Sequence, residues 1–425
     1  MLGFFICKIL LFLRTYYQTF TIMKPYLYAT FLILLFSCKT KETKKLQKGS
    51  YRASLEIQDN KTIPFTFEVK NAEYLTIFNA EEIISVKEIT YDNDSVKIQL
   101  PYFEGYIIAK INGKELNGYF VKKNLDRTVP FVAVSGKSRF PVTSKPKYTV
   151  NGNWETVFSP DTEKDRYIAK GIFSQRKNKV TGTFRTTTGD YRFLEGVING
   201  DELRLSTFDG AHAFLFTAKV TDSTMNGYFY SGNHWKEPFT AKLNNNYELP
   251  NDESLTFLKE GYKTIEFSFP NKEGKLISLE DKVYENKVKV IQIMGTWCPN
   301  CLDESKYYAE FYKRYNTKGV EFIALAFEVA KTSEEAFELI NRFTKQTGIN
   351  YPILLAQHGS ASKISAQKKL PMLNHVLSYP TTIFIDKKGK VRKIHTGFNG
   401  PATGQKYIDF KIDFEAFINE LLNEK

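Results

Sequence analysis

Two stretches of this chain repeat each other at a nearly constant spacing, and that spacing limits the possible folds more than any other feature. Leu116-Asn117-Gly118-Tyr119-Phe120 is echoed 109 residues later by Met225-Asn226-Gly227-Tyr228-Phe229. Pro130-Phe131-Val132-Ala133 is echoed 108 residues later by Pro238-Phe239-Thr240-Ala241. An offset held across two separate elements implies a duplicated unit of about 100 residues. Its two starts are marked by Tyr51-Arg52-Ala53 and Trp154-Glu155-Thr156. Within each copy, short alternating runs such as Tyr51 to Ile57, Val96 to Leu100, Tyr106 to Ile111 and Glu202 to Leu205 are separated by Asn-Gly, Thr-Gly and Asp-Gly turns. That is the pattern of antiparallel strands, and the 35 Phe and 25 Tyr suit it. The expectation is two all-β sandwich or barrel units, residues 50–140 and 148–246, joined near Phe140-Pro141 to Lys147.

The remaining length has to be a third unit, since 425 residues at about 150 per domain suggest roughly three. A composition of 42% hydrophobic and 25% charged residues excludes a wholly disordered or collagenous chain. The net charge of +12 comes from Lys and Arg scattered among acids. No long basic stretch interleaved with aromatics accompanies it, so nucleic acid is not an expected partner. His212 and His234 lack metal-ligand partners at helical or hairpin spacing and read as packed or surface residues. Trp154 and Trp235 read as core, with a binding face as the alternative.

After the polar segment Asn244 to Glu253, which carries Pro250, the pattern changes to alternating strands and helices, marking a separate α/β domain over residues 255–425. Lys287 to Met294 and Val320 to Phe327 are continuous apolar-rich strands. Leu302 to Asn316 has Tyr308, Phe311, Tyr312 and Tyr315 at helical spacing and stops at Gly319. Thr332 and Glu335 form a capping-box pattern before a helix with Phe337, Ile340 and Phe343 on one face. Thr381 to Asp386 and Val391 to Thr396 are expected to pair as a hairpin, and Phe414, Phe417, Ile418 and Leu421 to line a closing helix. A central sheet covered on both faces follows.

Only four cysteines occur, Cys7, Cys38, Cys298 and Cys301, which excludes a disulfide-stapled scaffold. Trp297-Cys298-Pro299-Asn300-Cys301 stands where the first of those strands meets the first helix. Two cysteines three apart at a helix start suit dithiol exchange, because the helix N-terminus and its free N–H groups favour a thiolate. Cys298, on an exposed strand-to-helix turn, is the expected nucleophile; Cys301, one turn inward, can reach the same sulfur and release a trapped substrate. Three rival readings meet obstacles in the residues. Half a zinc site lacks two further ligands, a structural disulfide would tie only a tiny loop, and a peroxidase of the peroxiredoxin branch would keep Thr where Trp297 stands.

Gly295-Thr296-Trp297-Cys298-Pro299-Asn300-Cys301, with Tyr379-Pro380-Thr381-Thr382 and Phe384-Ile385-Asp386 later in the chain, resembles the TlpA/ResA-like branch of the thioredoxin superfamily. The segment Phe267 to Leu279 is also similar to that branch, and the resemblance runs from about Leu255 to Lys425 without reaching the duplicated part. It implies a thioredoxin-like α/β domain and a redox-active Cys298–Cys301 disulfide as the working group, with no metal or organic cofactor. It further implies a cis-proline at Pro380, with the Tyr379 backbone and Trp297 beside a docked substrate. Glu304 matches an acidic position of the branch and could pass a proton to or from Cys301. Six residues before Cys298, where thioredoxins keep a buried Asp, this chain has Gln292.

The leader adds a location. An apolar run from Tyr26 to Phe36 has the length of a signal-peptide core and is too short to span a bilayer. Its end, Leu35-Phe36-Ser37-Cys38, resembles a bacterial lipoprotein signal, which implies residues 1–38 as signal peptide and lipidation at Cys38. An uncleaved anchor and a soluble secreted form are the alternatives. Met23 would serve as the true start, and residues 39–49 read as a charged tether. No acidic cluster follows Cys38, which points to a lipid-anchored, periplasm-facing protein of the bacterial envelope. The expected function is a membrane-anchored thiol–disulfide oxidoreductase that reduces disulfide-bearing envelope proteins and is recharged by a membrane thiol carrier. The alternative is a binding lipoprotein whose β units hold a ligand or partner while the third domain only docks.

Overall fold

The computed structural model describes residues 43–251 and 255–424. The lipidation site expected at Cys38, the start at Met23 and the first part of the tether lie outside them. No helix among the described residues is long and apolar enough to cross a membrane. Leu46, read as part of the charged tether, is instead buried in the core of the first β unit, and the Gln47 carbonyl beside it accepts the Tyr51 hydroxyl at 2.9 Å.

Both duplicated units are up-and-down antiparallel barrels. In the first, nine strands between Gly49 and Ser135 pair in chain order, and the first, Gly49–Glu56, also pairs with the last, Arg127–Ser135. One seam stays unpaired, between the consecutive strands Glu82–Val86 and Glu88–Asp92. The second unit closes completely, because Tyr167–Arg176 pairs with Lys179–Thr186 while Gly152–Phe158 pairs with Trp235–Leu243. The echoed sequences fall in equivalent places. Leu116 faces Ala133 and Tyr119 faces Pro130 in the first barrel; Met225 faces Ala241 and Tyr228 faces Pro238 in the second. The shared glycine has a steric cause. A Cβ on Gly118 would sit 1.9 Å from the Ile108 carbonyl oxygen, and one on Gly227 2.0 Å from that of Thr217.

The starts match as well. Tyr51 faces Ser135 and Trp154 faces Leu243, and each buried ring donates to a carbonyl four residues back, Trp154 Nε1 to Val150 O at 3.0 Å. Trp154 lies in the second core with Phe158, Phe184, Phe216 and Phe239. Trp235, expected inside, is 43% exposed near the turn that opens its strand. The barrels are joined through Phe208 of the second, whose ring stacks on Phe65 of the first at 4.1 Å.

The third domain is built on a five-stranded sheet of β1 (Val288–Met294), β2 (Val320–Phe327), β3 (Ile353–Gln357), β4 (Thr381–Ile385) and β5 (Val391–Thr396), in the order β3-β2-β1-β4-β5. β1, β2 and β3 run parallel, and β4 and β5 are antiparallel to their neighbours. Every residue of β1, β2 and β4 is buried. Since alternate side chains point to opposite faces, both faces of the sheet are covered. Four helices accompany it: α1 (Pro299–Tyr315), α2 (Ser333–Thr347), α3 (Lys363–Lys369) and α4 (Gln405–Asn423). Phe414 of α4 packs on Phe311 and Tyr308 of α1 at 4.9 and 5.1 Å between ring centroids. Thr332 caps α2 by accepting from Glu335 N at 3.2 Å, and Gly348 ends it in the left-handed region. Phe267 to Leu279 forms a small hairpin, Ser268–Pro270 with Leu276–Ser278.

Candidate functional site

β1 delivers the chain to Gly295, where a Cβ would meet Trp297 Nε1 at 2.4 Å. Trp297 Nε1 donates to Phe327 O at 2.9 Å, which ties this turn to the end of β2. Cys298 then serves as the N-cap of α1, with Pro299 at the first helical position. There the missing proline N–H is one that has no helical partner in any case. Cys301 N donates to Cys298 Sγ at 3.2 Å, and the Cys298 thiol donates to Tyr379 O at 3.4 Å. The Tyr379–Pro380 bond is cis. Both cysteines are free thiols. Trp297 lies edge-on to the Tyr379 ring at 5.4 Å. The sulfur of Cys298 is thus held between the amino end of α1 and the turn before β4.

Cys301 is fully buried, and its thiol is pushed well above the ordinary range by burial, then by the hydrogen bond and charge of Cys298 and by the charge of Glu304. Glu304, one turn further along α1, is also fully buried. Burial pushes its carboxyl up to about 7, against three hydrogen bonds that favour the ionised form. These come from Gln292 Nε2 at 2.7 Å, Thr382 Oγ1 at 2.9 Å and the Tyr308 hydroxyl at 3.1 Å. Gln292 therefore orients the acid, and its own carbonyl accepts from Ser305 Oγ at 3.1 Å. A carboxyl that titrates near neutrality, beside a thiol that resists losing its proton, is equipped to accept that proton.

A second buried acid was not singled out from the sequence. Glu328, just past β2, accepts from Thr296 N at 2.8 Å and from Thr296 Oγ1 at 2.7 Å, and burial raises it to about 7. It pins the residue two before Cys298. The available signal was a carboxylate directly following the apolar run Val320 to Phe327. Lys363, at the start of α3, is also near; partial burial lowers its ammonium while the Cys298 sulfur attracts it. Among the described residues no cluster of His, Cys, Asp or Glu has the makings of a metal site. His212 pairs with Asp209 at 3.3 Å, and His234 meets Arg127 at 3.1 Å.

One expectation is corrected. Cys298 is not on an exposed turn; it is 5% exposed. A turn of the second barrel lies against the surface around it. Ser378 Oγ donates to Thr188 O at 3.0 Å, Gly400 N donates to Asp190 Oδ2 at 2.6 Å, and Arg192 Nη1 donates to Pro299 O at 3.0 Å and to Asp303 Oδ2 at 2.8 Å. Arg192 also pairs with Glu82 of the first barrel and with Asp209 at 3.2 Å.

Comparison with known proteins falls on the third domain. The Redoxin family model matches residues 259–407. The thiol–disulfide oxidoreductase ResA of Geobacillus thermodenitrificans is 32% identical over 142 residues, 33% of this chain and 72% of that protein. ResA of Bacillus thuringiensis subsp. konkukian is 32% identical over 131 residues, 31% of this chain; the chain spans 66% of that relative's length. Among solved structures, a putative thiol:disulfide interchange protein DsbE from Chlorobium tepidum is 20% identical, covering 38% of this chain and 99% of its own, with a TM-score of 0.29. The Redoxin match takes in Cys298, Cys301, Glu304, Glu328 and the Tyr379-Pro380 turn together and leaves both barrels outside. Through this domain the chain belongs to the ResA-like thiol–disulfide oxidoreductases of the thioredoxin superfamily.

Proposed function

We propose that the chain is a lipid-anchored thiol–disulfide oxidoreductase facing the periplasm, which reduces disulfides of envelope proteins through Cys298 and Cys301. The observation that carries this reading is the sulfur pair. Two free thiols stand at the N-cap and first turn of α1, and the outer one accepts an N–H at 3.2 Å and faces a backbone carbonyl at 3.4 Å. The helix N-terminus favours negative charge on that outer sulfur.

In the reaction, the Cys298 thiolate attacks one sulfur of the partner's disulfide. The partner's S–S bond breaks, a Cys298–partner disulfide forms, and the departing sulfur leaves as a thiolate that takes a proton from water. Cys301 then gives its proton to ionised Glu304 and attacks Cys298 Sγ. This frees the second partner sulfur and leaves a Cys298–Cys301 bond. Two electrons have passed to the partner, and a membrane thiol carrier returns them by the same exchange in reverse. The sulfur chemistry needs no metal or organic cofactor. Trp297, Tyr379 and Pro380 form the side of the site toward which Cys298 Sγ is turned.

Cys301→Ser should accumulate mixed disulfides through Cys298 in intact cells; capture of no partner, with Cys298 alkylating slowly at pH 7, would refute the exchange reading. Redox titration against glutathione tests the direction. Thioredoxin-like potentials run from about −270 to about −120 mV, and a value at the upper end would make the protein an oxidase.

A further inference from the structure

Cys298 Sγ is turned toward Tyr379, and the surface formed by its chain neighbours Ser378 and Asn300 and the loop Gly397 to Gly400 borders this side of the site. The second barrel already occupies that surface. The Thr188 carbonyl accepts from Ser378 Oγ at 3.0 Å, and a Cβ on Gly397 would lie 2.5 Å from that same carbonyl. Gly189 faces Asn300 so closely that a Cβ on it would be 2.1 Å from Asn300 Nδ2. Asp190 Oδ2 accepts from Gly400 N at 2.6 Å. Arg185 Nε donates to Asn399 Oδ1 at 3.3 Å. Arg192, 3% exposed, reaches the carbonyl of Pro299, the residue after the attacking cysteine, at 3.0 Å.

These contacts are polar; the apolar packing between the domains lies elsewhere, where Phe103 of the first barrel and Ala211 of the second meet the third domain's core. Each donor and acceptor here has water as an alternative partner, and polar interfaces between domains of one chain permit relative motion. Arg192 is the fixed point of the arrangement. Its guanidinium meets Glu82 of the first barrel, Asp209 of the second at 3.2 Å and Asp303 of α1 at 2.8 Å, one carboxylate from each of the three domains.

We propose that the turn Thr188–Arg192 stands in for a substrate and sets the substrate class: a protein is reduced only if an extended segment bearing its disulfide can replace this turn. The segment has to offer an acceptor to Ser378 Oγ in place of Thr188 O and another to Gly400 N in place of Asp190. Between them it needs a small residue facing Asn300, as Gly189 is now. This inference rests on the dithiol reading above and adds the selection rule.

The test uses the full-length reduced protein with two probes, a small aromatic disulfide and insulin. A turn closed in about nine molecules out of ten lowers access to a displacing partner about tenfold. Arg192→Ala is therefore expected to raise the ratio of insulin rate to small-disulfide rate by about tenfold. Asp190→Ala, which removes one bond to the third domain and the turn's own bond from Arg192 N, should raise it in the same direction by less, and it decides the matter if Arg192→Ala fails to fold. An unchanged ratio in a folded variant that still reduces the small disulfide overturns the selection rule and leaves the dithiol reading standing. Failure of the wild-type protein and both variants to reduce even the small disulfide removes both.

Discussion

Replacing Glu304 with glutamine should make the third domain more stable in mild alkali. The carboxyl has an ordinary value of 4.5 and is raised by burial to about 7 in the folded chain. A folded state that holds the proton more tightly than the unfolded chain is favoured fully below 4.5 and loses that advantage as pH rises toward 7. At about 1.4 kcal/mol per tenfold change in proton affinity that rise corresponds to about 3 kcal/mol, most of which falls between pH 5 and 8. Glutamine fits the same partners, because the hydroxyls of Thr382 and Tyr308, now donors to Glu304 Oε1, can turn to accept an amide N–H. Cys301 supplies the readout. It is fully buried, so pulse alkylation of its peptide across a guanidinium series follows this domain rather than the barrels. The wild type should lose about 2 to 3 kcal/mol more than Glu304→Gln between pH 5 and 8. Identical pH dependence in the two proteins would show that Glu304 does not carry this titration, and the proton route from Cys301 would lose its acceptor. The same variant should slow resolution of a preformed Cys298 mixed disulfide by about 10² and flatten its pH profile near 7.

Glu328→Gln should likewise reduce the loss of stability above pH 5, since burial raises Glu328 to about 7, while leaving the resolution step's pH profile near that of wild type; the same alkylation series and stopped-flow measurement check it. Lys363→Gln removes a cation whose field reaches the Cys298 sulfur and should slow iodoacetamide alkylation of Cys298 at pH 7 by about threefold. Trp154→Ala should cost about 3 to 5 kcal/mol in the second barrel, seen as early loss of its near-ultraviolet circular dichroism. Gly227→Val forces a side chain to within 2.0 Å of the Thr217 carbonyl oxygen and should prevent that barrel from closing, read as loss of amide protection in Thr224–Ser231.

Much of this architecture was legible because its causes are local. Val320 to Phe327 reads as a strand buried on both faces because every residue but one is apolar, and all eight are buried. α1 begins where Pro299 can sit without a missing bond, and α2 where Thr332 can cap. The duplication was visible because Gly118 and Gly227 answer the same steric demand, the close approach of a neighbouring strand's backbone. Helix α3 escaped notice because seven residues give too little periodicity, and β3 because four apolar residues in a row do not tell a strand from a stretch of helix. Leu46 was hidden among lysines. The covering of Cys298 was beyond reach for a different reason. Arg192 meets Glu82 and Asp303 across 110 and 111 residues of chain, and no local pattern announces a pairing that only the packed domains create. Trp235 misled because aromatic content signals burial on average and says nothing of one position at a turn.

The guanidinium shared among three carboxylates also bears on how such proteins should be dissected. A fragment cut at Leu255 would keep Asp303 in the second turn of α1 and lose the Arg192 cation, while the rim of the reactive cysteine would stand open to any passing cystine. Turnover numbers gathered on that fragment would describe a less selective catalyst, and substrate screens run with it would return candidates that the intact chain never touches.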